Sequence, residues 1–444
     1  MEIRTTRPRV ALALLATSVV VAVFAATARS ASVVSESTWG GASSEISSGV
    51  VVAGDGATYQ VGDTFSFDPF QRPYVFALKY AADGSLAWER AWKGPEQFSS
   101  DHASGVALAG DGSVYVSGST IGTGGDALVL KLAPDGSLVW QQKWGSSGSD
   151  RAEAIAVGSD GSVYVVGSTT SFADATTSGH LFVLKLNPDG TLAWQKITAG
   201  SGQGVAIAPD GSIYAAGVNL RPSGVSEFDA MVLKLTPAGA LVWQRAYSAL
   251  EIVDARGGVA VAADGSLYVA GTGQAVTRAG NAVNDGILLK FSAEGNLLWD
   301  RRWDGRDGDT GEGVAVAPDG TVVFTGNTFT GADKSDDAFV IQVAPNGRGI
   351  DGGKWGGTGI DHGDDVDVAP NGTIVVGATA QAPPWTLDRA SNRLSRLRGT
   401  VATSTAALVD AAGALSDPAG SLLAVSGSTT FAGGTDAALV RLAP

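Results

Sequence analysis

Beyond an apolar opening stretch, the chain alternates short runs rich in Val, Leu, Ile and Tyr with turns built mostly on Asp-Gly or Asn-Gly. One phrase is Gly105-Val-Ala-Leu-Ala-Gly-Asp-Gly-Ser-Val-Tyr-Val-Ser-Gly118. Its relatives begin near Gly49, Ala154, Gly204, Gly258, Gly313, Asp365 and Ala411, with turn glycines from Gly56 to Gly420. A second phrase alternates with the first: Asp126-Ala-Leu-Val-Leu-Lys-Leu-Ala-Pro-Asp-Gly-Ser-Leu-Val-Trp140. It recurs at Tyr74–Trp88, His180–Trp194, Asp229–Trp243 and Asp285–Trp299, weakly from Asp337, in eroded form near Trp385–Leu397, and incompletely at Asp436–Pro444. Each phrase predicts a β-hairpin: two apolar runs flank a tight turn whose glycine supplies a positive φ. No helical periodicity follows the opening stretch.

Two hairpins in roughly 50 residues make one four-stranded antiparallel sheet, with strands a and b from the first phrase and c and d from the second. Leu128, Val129, Leu130 and Leu132 put apolar side chains on both faces of strand c. That suits a sheet sandwiched between two neighbours. Such sheets cannot stand alone in water, but stacked around an axis they form a β-propeller; the period is long for a linear solenoid coil. The predicted class is therefore all-β, a single propeller. The copies predict eight four-stranded antiparallel blades; seven blades is the alternative. The chain stops after a strand c, at Val440-Arg-Leu442, and Trp39 near its start fills a slot held elsewhere by Trp92, Trp144, Trp303 and Trp355. The N-terminal strand is thus expected to close the last blade, removing an open edge. The Arg-rich stretch Gln381 to Arg398 fits the repeat worst and predicts a degenerate blade near 361–400.

The run Trp144-Gly145-Ser-Ser-Gly148-Ser-Asp150, then Ala-Ile-Ala-Val, then Asp160-Gly161-Ser-Val-Tyr-Val-Val-Gly167, then a strand ending in Lys185-Leu186, resembles the bacterial β-propeller repeats called SBBP repeats. The resemblance covers nearly all of residues 33 to 444. It implies an exported or surface-associated propeller. That family is described as seven-bladed, so the resemblance keeps the seven-blade alternative open. It implies no shared reaction, because the fold hosts many functions. The Gly136 to Trp140 spacing also resembles the outer-strand repeat of quinoprotein propellers, over one hairpin per blade.

Composition narrows the function classes. The formal net charge of −14 does not attract nucleic acid or anionic lipid. Cysteine is absent, which excludes disulfides, thiolate metal sites, a cysteine nucleophile and a lipid-modified cysteine. Arg4, Arg7 and Arg9, the apolar run Val10 to Ala26 and the site Ala26-Thr27-Ala28 have the layout of a secretory signal peptide. The run is shorter than the ~20 residues a spanning helix needs. The expected division is a signal peptide over 1–28 and a propeller over 29–444, secreted, monomeric and without a membrane span after cleavage.

Two sets of acidic residues repeat with the blades. Asp101, Asp150, Asp254, Asp309 and Asp361, with Glu45, precede strand a; Asp126, Asp229, Asp285, Asp337 and Asp436 begin strand c. In an antiparallel blade both sets fall on one face of the disc. They are candidates for a binding face, or for loop-fixing hydrogen bonds of the Asx kind. Gly356-Gly-Thr-Gly-Ile-Asp361 resembles the start of a calcium-binding nonapeptide, which makes Asp309 and Asp361 the metal candidates and calcium the one cofactor to weigh. The three histidines, His102, His180 and His362, sit in repeat loops. No Ser/His/Asp set or phosphate loop stands out. The two tryptophan slots of strand d are expected to pack between blades, with sugar stacking as the other use. The function expected is a non-catalytic binding or scaffold protein presenting loops to an extracellular protein or glycan. The alternative is an exported propeller enzyme, a quinoprotein-like oxidoreductase or a lyase, working from non-repeating residues in the central funnel.

Overall fold

The computed structural model describes residues 32–443 apart from 97–98, 123, 173–178, 221–227, 249–252, 256–257, 277–281, 304, 306–307, 331–334, 382, 390–393, 398, 404–406 and 427–434. The expected signal peptide lies outside the described residues. Hairpin chemistry builds each blade as the pattern requires. In the third blade, Asp150–Val157, Val163–Thr169, His180–Leu186 and Leu192–Ala199 pair in chain order, all antiparallel. Its first turn is closed by Gly161 N–H donating to the Gly158 carbonyl (2.9 Å), with Gly161 at φ 78° and Ser162 N–H bonded to Asp160 Oδ1 (2.9 Å). Strand c of that blade, Leu181 to Leu184, is fully buried on both faces, one set packing into each neighbouring interface.

Seven such sheets form the ring. The inner strands Glu45–Val52, Ser100–Leu108, Asp150–Val157, Ser201–Ile207, Val259–Val261, Asp309–Val316 and His362–Val368 touch in succession, and the last touches the first. The seventh blade closes through the N-terminal strand. Val33–Trp39 pairs with Asp436–Leu442, which pairs with Ile374–Ala380. Indole hydrogen bonds carry the closure around the rim: Trp355 Nε1 donates to Glu36 (2.7 Å), Trp39 Nε1 to Glu89, Trp92 Nε1 to Gln141 (2.8 Å) and Trp144 Nε1 to Gln195 (2.6 Å). Each bond joins one blade to the next, and the first two run through the N-terminal strand.

The expectation of eight blades is corrected to seven. The copy beginning near Ala411, with Gly420 as its turn, is not a hairpin. After strand b of the seventh blade, the described strands of the following segment run backwards around the outside of the ring. Thr386–Arg389, Leu394–Ser395, Thr400–Thr403, Val409–Asp410, Ala414–Ser416 and Ser421–Ala424 pair in turn with strand d of blades six, five, four, three, two and one. Five of those blades therefore have five strands, blade five has six because its strand a is split into Val253–Asp254 and Val259–Val261, and the seventh has four. The chain then returns as strand c of blade seven. The degenerate blade expected near 361–400 is corrected in the same way: His362–Val368 and Ile374–Ala380 are regular strands a and b, and the strap begins after them. Its short apolar runs and its Asp417-Pro-Ala-Gly420 bend have the composition of a hairpin without the partner strand.

Candidate functional site

The seven inner strands line a central channel of about 890 Å³. Each described strand a but the fifth carries a bulge where the pairing register shifts, as between Ala103 and Gly105 or Gly363 and Asp365. The bulge turns one side chain per blade out of the ladder. At the channel these are Ser48, Ser104, Glu153, Gln203, Glu312 and Asp364, and Arg151 lies beside them. Lower down, the ring is made of Gly49, Gly105, Ala154, Gly204, Gly258 and Gly313, small enough for adjacent inner strands to touch; the seventh position is Asp365. Asp367 stands where the other copies have Val51 or an alanine.

Of the three carboxyls on this short strand of blade seven, Asp365 and Asp367 thus break the symmetry, while Asp364 shares its position with Glu153 and Glu312. Asp365 Oδ2 accepts the backbone N–H of Val50 (2.9 Å), and Asp367 Oδ2 accepts that of Val52 (2.8 Å). These are inner-edge donors of blade one, so the two carboxylates stitch the last blade to the first across the channel wall. Asp364 Oδ2 accepts the Thr379 hydroxyl (2.7 Å). Removal from bulk water, only partly offset by those bonds, pushes Asp365 up to about 7 and Asp367 up to about 6. It holds Asp364 well above the usual carboxylate range, with Glu312 and Asp365 adding repulsion. Copies aligned by their turns show the signal: only blade seven puts acids where the others have glycine, alanine or valine.

Two histidines that precede the channel-lining residues of their strands contact aspartates. His102 Nδ1 lies 2.6 Å from Asp63 Oδ2, and that hydrogen bond raises the imidazole above its ordinary value. His362 Nε2 lies 3.2 Å from Asp336 Oδ2, on a second cavity of about 560 Å³ shared with Asp309, Glu312 and Asn327. His180 begins strand c of blade three, opposite Thr169.

The acidic residues that repeat lie under the loops. Asp101 is fully buried and accepts Gly94 N–H (2.7 Å), Ser99 Oγ (3.0 Å) and Thr120 Oγ1 (2.6 Å). Asp150 accepts Ser146 N–H (3.2 Å) and Ser171 Oγ (2.6 Å), and Asp309 accepts Gly305 N–H (2.6 Å). Asp361 accepts Gly357 N–H (2.7 Å), Gln381 N–H (3.0 Å) and Trp385 Nε1–H (3.0 Å). In the second set, Asp126 pairs with Lys143 (2.8 Å), Asp285 with Arg302 (3.2 Å) and Asp337 with Lys354 (3.5 Å), while Asp229 accepts the Ser248 hydroxyl. Asp436 is fully buried. Asp254 begins strand a of blade five, opposite Thr272; its side chain lies outside the described residues. The two sets meet at a glycine. A Cβ on Gly145 would lie 2.3 Å from Asp150 and 2.6 Å from Asp126; on Gly40 it would lie 2.5 Å from both Asp436 and Glu45. Among the described residues no three of His, Asp or Glu are arranged to hold a metal ion.

The tryptophans occupy the interfaces. Trp39, Trp92, Trp144, Trp303 and Trp355 are fully buried. Those of the other slot lie over the next blade's turn: Trp88 Nε1 donates to Pro134 O (3.0 Å), Trp140 Nε1 to Pro188 O (3.1 Å) and Trp194 Nε1 to Pro237 O (3.1 Å).

A family described as a domain of unknown function (DUF5122) β-propeller matches residues 158–192. No curated protein matches the sequence. Solved structures to which the chain has some similarity include the periplasmic gluconolactonase of Pseudomonas aeruginosa, 15% identical over 71% of this chain and 94% of its own, TM-score 0.42. The β-propeller domain of the Trilobed protease from Pyrococcus furiosus is 10% identical over 80% and 96%, TM-score 0.44. A protein of unknown function from Dyadobacter fermentans is 10% identical over 83% and 100%, TM-score 0.42.

Proposed function

We propose that this chain is an exported, non-catalytic binding protein of the SBBP-repeat kind, and that its ligand enters the polar mouth of the central channel. The observation that carries this reading is the break in repeat symmetry there. Six blades put glycine, alanine or valine where blade seven has Asp365 and Asp367, and Glu153, Glu312 and Asp364 line the same channel. The cavity falls in the size range of small-ligand sites, and its lining is mostly polar, which suits a polar ligand. The acidic excess favours a ligand bearing ammonium or hydroxyl groups, such as an amino-sugar glycan or a basic peptide segment. Export rests on the charged start, the apolar run and the Ala-x-Ala site at residues 26–28. The mature chain in culture supernatant is expected to begin near Arg29 by intact mass; only full-length, membrane-bound protein would defeat this part.

The binding part is tested by screening the mature chain on a glycan and basic-peptide array, then titrating the best ligand calorimetrically into wild type and the Glu153→Gln/Glu312→Gln/Asp364→Asn variant. Loss of binding by the variant, with affinity falling as salt rises, supports the channel site. Unchanged affinity places the ligand elsewhere. The second reading, an exported enzyme such as a lyase or an oxidoreductase, draws on the His102–Asp63 contact, an arrangement suited to general-base chemistry. Mass spectrometry of the ligand after incubation separates the two: a changed product that disappears with His102→Gln favours the enzyme.

A further inference from the structure

We propose that residues 385–424 are a blade-counting latch, one seven-residue unit per blade, which holds the ring at seven blades and locks it shut. The strap's pairing repeats in register at every blade. Leu387 lies opposite Trp355, Leu394 opposite Trp303, Val401 opposite Tyr247, Leu415 opposite Trp144 and Leu422 opposite Trp92. At blade three Val409 faces Ile197, which places Leu408 level with Thr198. The six residues Leu387, Leu394, Val401, Leu408, Leu415 and Leu422 are spaced seven apart without exception. Each packs on the apolar cluster of its own interface. Their neighbours Val409 and Leu423 face out, 48% and 36% exposed.

The position two residues earlier is glycine in three of the six units. Gly399, Gly413 and Gly420 lie flat on Tyr247, Trp144 and Trp92, where a Cβ would come within 2.1–2.3 Å of the rings. At the first unit Trp385 stacks on Trp355 instead (5.5 Å, 28°). Polar hooks fix the phase: Asp300 accepts Gly399 N–H (2.8 Å), Gln195 donates to Ala411 O (2.8 Å), and Gln141 donates to Asp417 (2.8 Å) and Gly420 O (3.2 Å). These contacts cover strand-d edges that an ordinary propeller blade leaves open for pairing.

The count follows from connectivity. The strand that completes blade seven, Asp436–Leu442, lies after the strap in the chain and is then covered by Val33–Trp39. The ring therefore closes only once the strap has passed six blades. A seven-residue unit extends at most to ~24 Å, so with an extra blade the later units would be too short to reach their edges. This inference concerns the rim and is independent of the channel reading.

The test compares substitutions in and out of phase in the full mature chain. Leu415→Ser and Leu422→Ser remove inward residues; Val409→Ser and Leu423→Ser remove apolar residues that face out. The first pair is expected to raise the rate of proteolytic nicking within the strap by about tenfold or more, and acrylamide quenching of tryptophan with it. The second pair is expected to match wild type. Aggregation of the first pair while the second stays monodisperse supports the latch equally. A second arm changes length between Asp410 and Ala411. One added glycine shifts both later units out of phase and should loosen the rim; seven added residues keep the phase and should be tolerated as a loop. The proposal is overturned if the two pairs behave alike, or if the one- and seven-residue insertions do.

Discussion

At the residue scale, the repeat assigns each slot a physical task. The fully buried Trp144 fills an interface between blades and donates to Gln195. Trp144→Ala is expected to cost about 3–5 kcal/mol by equilibrium denaturation, as large buried side chains do. Trp140 is only half-buried, so its loss should cost visibly less; equal costs would mean that burial does not set the ranking. Gly145 is required by space rather than by φ. Two carboxylates, Asp126 and Asp150, come against it from the two acidic sets. Gly145→Ala should destabilise by about 1–3 kcal/mol through overpacking, and a melting temperature equal to wild type would contradict the crowding. The acidic sets were legible as a periodic pattern on one end of the blades. Their burial was not, because it depends on loops folding back over them.

At the element scale, the N-terminal strand is the joint between first and last blades. Its tryptophan and glutamate, Trp39 and Glu36, each make an inter-blade hydrogen bond. Deleting residues up to Gly40 from the mature chain leaves every other blade complete but bares the edge of Asp436–Leu442. Such an edge promotes intermolecular pairing, so size-exclusion chromatography should show oligomers and aggregate. A monodisperse truncation of wild-type stability would mean that this strand is dispensable for closure. The strand's role is readable from Trp39 in a strand-d slot together with a last blade whose phrase stops after strand c at Leu442. The strap is not legible at the blade period of roughly 50 residues, because its own apolar residues recur every seven.

At the scale of the whole molecule, ring closure concentrates charge. Asp364, Asp365 and Asp367 bind protons more tightly in the folded chain than in an unfolded one, where Asp titrates near ~3.9. The stability they contribute is complete below that value and is lost as pH rises through about 6 to 7. The turn residues Asp111 and Asp160 act in the other sense. Backbone N–H groups of Ser113 and Ser162 hold them below the usual carboxylate range, so their contribution is present above ~3.9 and lost in stronger acid. Thermal melts should therefore be highest in mildly acidic buffer and fall towards pH 8. Asp364→Asn keeps an acceptor for Thr379 and should flatten that fall in part; an unchanged slope would show that Asp364 does not contribute to it. By itself the sequence determined the hairpins, the antiparallel blades, the ring and the strand that closes it, because these follow from local periodicity, turn glycines and the need to bury both faces of each sheet. Only the tertiary structure decided the number of blades, the path of the strap and the meeting of Asp365 and Asp367 with Val50 and Val52. Those contacts join residues hundreds of positions apart, and which distant edge a strand pairs with depends on the geometry of the closed ring, which no local pattern encodes.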